Sequence, residues 1–254
     1  MPPDRATQTA TPSGTDGRET FPDGSRDRDM DFESFVLTAS TASLDREFGP
    51  ADAVEFRMDR TESPLDALNA YDGNLPIIAT DRVTSEGGES PAGPDRQKRL
   101  IAAARNPSVG AIDVELDRAE ACEDVLAAAQ ATDTRVIVSA HDFEGTPGPE
   151  AMVERLARAA SIGDVGKFAV TATDREDTLD LLVATRAATV RGHRVATMAM
   201  GEPGRHTRVV APLYGSKIGY APPDGAPATA PGQYGLARLA ELIDALDEPP
   251  VHNE

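Results

Sequence analysis

Residues 135–170 read RVIVSAHDFEGTPGPEAMVERLARAASIGDVGKFAV, and the fold follows from how this stretch divides. Two short runs, RVIVSA (135–140) and VGKFAV (165–170), are rich in β-branched and aliphatic residues and end at polar or turn-forming ones, which suits buried strands. Between them, residues 149–162 carry Ala, Leu, Met, Arg and Glu at helical spacing, and residues 146–150 supply a helix start. Strand, helix and strand in this order make a βαβ unit, whose two strands run parallel.

The unit recurs along the chain. Six further runs are FVLTAS (35–40), VEFRM (54–58), PIIAT (76–80), AIDVEL (111–116), RVATMAM (194–200) and KIGYA (217–221), and helical spacing returns at 95–105, 117–131, 174–190 and 235–246. The eight run starts, from 35 to 217, are spaced by 26 residues on average. Eight βα units of that period predict an α/β fold, a (β/α)8 TIM barrel. The alternative is an open doubly wound sheet, but no Gly-rich phosphate loop follows the first strand. Residues 1–32 have almost no apolar content and read as a disordered acidic tail. The barrel is expected over 33–248, with a frayed terminus at 249–254.

Composition removes several functions. Of 254 residues, 25 are Lys or Arg and 43 are Asp or Glu, a net charge of −18. A field this negative repels phosphate backbones and anionic lipid, so neither nucleic acid nor membrane is an expected partner. No stretch approaches the roughly 20 apolar residues of a membrane span, and the N-terminus lacks the apolar core of a secretory signal, so a cytoplasmic location is expected. Cys122 alone makes no internal disulfide and holds no structural zinc; it reads as packing in a helix. Lysine occurs only at Lys98, Lys167 and Lys217. An acidic, lysine-poor surface resembles those of proteins from salt-accumulating cells, where a Debye length of about 3 Å in molar salt screens self-repulsion. A halophilic source, an archaeon among them, is therefore expected.

In a barrel of this kind chemistry sits where strands end and βα loops begin. The second strand carries Glu55, Arg57 and Asp59 at i, i+2 and i+4, which places all three on one side. Buried charges so arranged either pair with one another or hold a ligand. After the third strand come Arg82 and the loop Glu86-Gly87-Gly88-Glu89, which reads as a solvated turn or as a close-approaching functional loop. His141 follows a buried run and opens a loop, the place for a general base or a structural imidazole. His193, His206 and His252 offer no ligand spacing beside it, so no metal is expected. Lys167 lies among apolar neighbours in the sixth strand. Burial there, with arginines near, favours a neutral amine able to attack a carbonyl, against a snorkelling role. Lys98 sits in a helical Arg/Lys run and reads as surface. Arg208 can aim a guanidinium at an anion, and the Thr229-Ala230-Pro231-Gly232-Gln233 loop can offer backbone amides and Gln233 to a carboxylate.

Taken together, Glu55-x-Arg57-x-Asp59, Arg82-x3-Glu86-Gly-Gly-Glu89, Ser139-Ala-His141-Asp-Phe143, Gly166-Lys167, Thr197-Met-Ala-Met200, Arg208, Tyr214-Gly-Ser216 and Ala230-Pro-Gly-Gln233 resemble type I 3-dehydroquinate dehydratase, the Schiff-base enzyme of the shikimate pathway. The resemblance spans residues 35–246. It implies a lyase that converts 3-dehydroquinate to 3-dehydroshikimate, with Lys167 forming an imine, His141 as general acid and base, and Glu86 holding His141. It further implies that Arg208, Gln233 and Thr229 bind the substrate carboxylate end and that Glu55, Arg57 and Arg82 grip the ring. The resemblance implies no cofactor and a homodimeric assembly. Thr229 stands where family members often have serine, and Thr38 matches only loosely the small hydroxyl residue that often ends the family's first strand. A class I aldolase-type barrel shares a strand-six lysine but relies on acidic and tyrosine partners; a non-catalytic carboxylate binder has no use for the lysine.

Overall fold

A computed structural model describes residues 29–248; the expected tail over residues 1–28 and the frayed terminus at 249–254 lie outside the described residues. Eight strands form one sheet: β1 (Val36–Thr41), β2 (Ala53–Arg57), β3 (Ile77–Thr80), β4 (Val109–Glu115), β5 (Arg135–His141), β6 (Val165–Thr171), β7 (Val195–Met200) and β8 (Ile218–Ala221). All neighbouring pairs are parallel, in the order β7-β6-β5-β4-β3-β2-β1-β8. An open doubly wound sheet would leave β7 and β8 apart. Here a parallel bridge joins Val195 to Ser216, and Lys217 N–H donates to the Val195 carbonyl at 2.8 Å, which brings the ends together as a barrel. Ser216 serves this seam, since its hydroxyl accepts Thr197 N–H at 3.0 Å.

The main helices are α1 (Pro64–Ala70), α2 (Pro94–Ala104), α3 (Glu123–Ala131), α4 (Pro149–Ala160) and α5 (Glu176–Val190); two four-residue turns, α6 (Gly201–Gly204) and α7 (Thr207–Val210), and α8 (Leu236–Asp247) follow. Proline begins α1, α2 and α4, where its missing N–H has no intrahelical partner to lose. No helix follows β1. Among the described residues no helix is long and apolar enough to cross a membrane.

Period-2 alternation sorts each strand between two cores. Val54 and Phe56 of β2, Ile112 and Val114 of β4, and Phe168 and Val170 of β6 point outward into the layer under the helices. Ala53, Ile78, Ala111, Ile137 and Val165 point inward and fill one end of the barrel. Two residues further along the same inward rows stand Glu55, Thr80, Asp113, Ser139 and Lys167, all buried. The apolar layer is the floor, and the polar layer above it is where the strands end. Gly166 lets α4 lie close against β6, because a Cβ there would come within 2.6 Å of the Leu156 carbonyl.

The expected tail ends earlier than residue 32. Met30 and Phe32 are buried and belong to the inward apolar layer, closing the barrel floor with Tyr220, Ile218 and Met198. A mean composition hides two apolar side chains set among Asp and Glu. Cys122 is buried, at the end of a 3-10 turn (Leu116–Cys122) leading into α3.

Candidate active site

The polar layer opens into a cavity of about 620 Å³, its open mouth included, at the C-terminal ends of the strands. Glu55, Arg57, Arg82, Glu86, His141 and Lys167 line it from β2 to β6, and Arg208, Thr229 and Gln233 line it from the segments after β7 and β8. All nine site residues expected from the sequence thus meet in one cavity, with Met198 and Met200 as an apolar wall.

Lys167, 4% exposed, directs Nζ to Asp113 Oδ2 at 3.3 Å and stands 3.9 Å from Glu55 Oε1. Its nearest charges are carboxylates and not the arginines expected, because β4 and β2 carry acids in the same inward layer. Nζ also sits over the Tyr220 ring, 4.2 Å from its centroid. Asp113 is the hub: it accepts Ser139 Oγ at 2.6 Å and pairs with Arg82 at 2.8 Å. Burial works against its charge, but Arg82 and Lys167 hold the carboxyl well below the ordinary carboxylate range. Arg82 in turn donates Nη1 to Ser139 Oγ at 2.7 Å and to Glu115 Oε1 at 3.2 Å. Burial disfavours its charge too, yet Asp113 and Glu115 raise the guanidinium above its ordinary value.

His141 Nδ1 meets Glu86 Oε2 at 2.8 Å, and its ring stacks on Phe143 with centroids 5.9 Å apart. Burial depresses the imidazole well below its ordinary pKa, and the positive charges of Arg82 and Lys167 add to the effect. Burial pushes the Glu86 carboxyl up to about 7, opposed by Arg82 and assisted by Glu115 and Asp113. Neither member of the pair favours charge, so the imidazole that faces the cavity favours its neutral form. Glu86 ends a 3-10 turn (Thr84–Glu86) that Gly87 terminates at φ +74°, where a Cβ would stand 2.7 Å from the Phe143 ring. The Glu-Gly-Gly-Glu loop therefore approaches the site closely through Glu86 and the two glycines, while Glu89 stays exposed.

The Glu55–Arg57–Asp59 row divides. Strand β2 ends at Arg57, and Asp59 lies in the following 3-10 turn (Met58–Arg60), from which it takes both prongs of the Arg57 guanidinium at 2.8 and 2.7 Å. Glu55 stays apart, accepting Thr80 Oγ1 at 3.1 Å and the Ser40 hydroxyl. Ser40 also accepts Thr229 Oγ1 at 3.1 Å, so Ser40 ties β1 to the site while the Thr38 hydroxyl has no hydrogen-bond partner.

Arg208, on α7, is buried with one bond to the Pro231 carbonyl at 3.3 Å; its Nε has no partner, and no carboxylate among the described residues pairs with it. Burial alone lowers its pKa to about 10. A buried cation without an anion is a place for one. Gln233 differs from expectation. Its Oε1 accepts the amides of Thr229 and Ala230 at 2.8 and 3.0 Å and its Nε2 donates to Thr229 Oγ1 at 3.1 Å, so it shapes the loop and has one Nε2 hydrogen left to offer a ligand. Lys98 is exposed on α2, bonded to Asp95, and Lys217 donates to the Glu33 carbonyl outside the cavity. Among the described residues no three His, Cys, Asp or Glu side chains gather as metal ligands.

Sequence reasoning passed over Asp113, Glu115 and Tyr220, and met Ser139 only as part of the motif around His141, without a role. The signal was present for the first two: AIDVEL holds two acids at i and i+2 in a buried strand, as VEFRM holds Glu55 and Arg57.

Fold and cavity together define a (β/α)8-barrel enzyme with its polar groups gathered at the C-terminal strand ends. The family described as type I 3-dehydroquinase matches residues 41–249, and the chain belongs to it, an enzyme that dehydrates 3-dehydroquinate. The chain is 51% identical over 225 residues to the 3-dehydroquinate dehydratase of Halobacterium salinarum, covering 84% of this chain and 98% of that one. It is 50% identical over 225 residues to that of Haloarcula marismortui, covering 85% and 98%. Both relatives come from halophilic archaea, in keeping with the acidic composition. Among solved structures it resembles the 3-dehydroquinate dehydratase of Geobacillus kaustophilus, with a TM-score of 0.76 at 26% identity over 85% of this chain and 92% of that one.

Proposed function

We propose that the dehydration runs through an imine on Lys167 and yields 3-dehydroshikimate by syn elimination. The observation that supports this best is that a buried lysine, a histidine held by Glu86 and an arginine without a carboxylate partner face one cavity. The Lys167 amine adds to the ring ketone, and loss of one water gives a protonated imine. That cation draws electrons from the adjacent C–H bond. His141 takes the proton, and the electron pair flows toward the imine nitrogen to form an enamine. The enamine then expels the neighbouring hydroxyl, which His141 protonates as it departs. Hydrolysis of the imine consumes one water and frees Lys167, so the net change is loss of one water.

Glu86 holds His141 through Nδ1, leaving Nε2 for the substrate. Arg208 takes the substrate carboxylate, with the Thr229–Gln233 loop closing on it. Glu55, Arg57 and Arg82 contact the ring substituents. Arg208→Met is then expected to raise KM roughly 100-fold, the scale of a lost buried charge-assisted contact, with a far smaller change in kcat; steady-state kinetics check it. The assembly is a homodimer, and light scattering in molar KCl tests this: a particle with the mass of one chain overturns it.

The deciding experiment is borohydride reduction in high salt with 3-dehydroquinate present, followed by peptide mass spectrometry. A substrate-derived mass on Lys167 is the expected result. A folded protein that gains no mass there overturns the imine.

A further inference from the structure

We propose that Arg96, on the outer helix α2 and outside the cavity, is a positioning residue for the reaction. It anchors Glu115 and the Asp81 carbonyl, and through them it sets where Arg82 and the Glu86 loop face the substrate. The inference rests on the roles given above to Arg82 and Glu86.

Arg96 belongs to the same helical Arg/Lys run as the exposed Lys98, yet it is 3% exposed and does not line the cavity. Its Nε donates to the Asp81 carbonyl, one residue before Arg82, and its Nη2 donates to Glu115 Oε2. Glu115 is fully buried and spends its other oxygen on the active site: Oε1 accepts Arg82 Nη1 at 3.2 Å and Val83 N–H at 3.1 Å. Val83 begins the loop that carries Glu86, since its carbonyl accepts the Glu86 and Gly88 amides at 3.0 and 2.9 Å. An unbroken path therefore runs from α2 through Glu115 to Arg82, Asp113 and Lys167, and a branch of it reaches Glu86 and His141.

Charge balance explains why an arginine stands there. Arg82 is shared between two buried carboxylates and leans to Asp113, at 2.8 Å against 3.2 Å for Glu115. Arg96 supplies Glu115 with a cation of its own, which leaves Arg82 committed to Asp113 and the cavity. Without it, a buried carboxylate would pull Arg82 toward itself and away from the substrate. One planar guanidinium makes both bonds in fixed directions; a lysine keeps the charge but not the fork. Pinning α2 does not require Arg96, because Arg99 holds Asp81 Oδ2 at 2.8 Å and Ser90 Oγ at 3.0 Å on its own.

The test is a double-mutant cycle on kcat/KM, in high salt, with Arg96→Met, Glu115→Gln and both together. Arg99→Met paired with Glu115→Gln is the control. Arg96→Met is expected to lower kcat/KM roughly 10- to 100-fold, the scale of a small misplacement of reacting groups, with KM and kcat both affected. In the Glu115→Gln background it should cost little more, whereas the Arg99 and Glu115 losses should multiply. Arg96→Lys should recover part of the activity, and it carries the same cycle if Arg96→Met does not fold. Losses of Arg96 and Glu115 that multiply, or a folded Arg96 variant within twofold of the parent, overturn the proposal. The parent enzyme's borohydride adduct tests the underlying mechanism separately.

Discussion

Lys167→Ala is expected to lower turnover by roughly 10⁴-fold or more while the barrel still folds, because the step it removes has no substitute in the cavity. Of the three lysines, only Lys167 lines the cavity. Without an amine no cationic imine forms, and the proton beside the ketone keeps the weak acidity of an ordinary carbonyl compound. Lys167→Arg should fare no better, since a guanidinium does not give up its proton to become a nucleophile. The fold should persist because the partners left behind stay paired: Asp113 keeps Arg82 at 2.8 Å and the Ser139 hydroxyl at 2.6 Å. The space vacated is polar and open enough to take water. Ultraviolet absorbance of the conjugated product reports turnover, and thermal unfolding in the same buffer reports the fold. Alanine-substituted protein that still turns over within tenfold of the parent would falsify the imine mechanism.

What the sequence reveals of this site depends on how local each signal is. Lys167 is legible because a charge in VGKFAV breaks an apolar alternation that otherwise needs no explanation, and the strand's period fixes its side. His141 is legible because its strand ends there. Asp59 misleads, since the i, i+2, i+4 spacing holds only while the chain stays extended, and β2 turns into a 3-10 helix one residue earlier. Asp113 and Glu115 share an inward face that the sequence displays, but which cations meet them is decided by register. Thr80 lies opposite Asp113, and Ser139 lies between Glu115 and Lys167 in neighbouring strands. No local pattern carries that information. Arg96 is the extreme case: within its helix it looks like its exposed neighbour Lys98, and only the packing of α2 over the strands buries one and frees the other. Met30 and Phe32 are misplaced for the opposite reason, as two apolar side chains in a polar stretch whose destination is a barrel floor built from distant strands.

His141→Ala is expected to lower turnover by roughly 10²- to 10⁴-fold, the range of a positioned general acid–base group, while leaving imine formation in place. The distinction follows from geometry. Lys167 reaches its carboxylate partners without His141, whereas His141 is held by Glu86 on one nitrogen and opens the other toward the cavity. The variant should therefore retain the borohydride adduct on Lys167 while product formation stalls. Burial, Arg82 and Lys167 depress the imidazole pKa, so the free enzyme should hold His141 neutral as pH falls through the ordinary histidine range. Imidazole NMR signals that stay unmoved between pH 8 and 6 would agree. The stability consequence has a definite sign. Just below the ordinary histidine value the unfolded chain binds a proton there that the folded one refuses, so acid weakens the fold through this group. Glu86 acts oppositely: with its carboxyl raised to about 7, the folded chain keeps a proton that the unfolded chain has lost, so stability from this group declines as pH rises toward 7. Removing His141 should leave mainly the second slope, readable as denaturant midpoints at pH 5 and 7 in parent and variant. A His141→Ala protein that forms no adduct would instead assign the imidazole to imine formation itself, and the division of labour between lysine and histidine would fail.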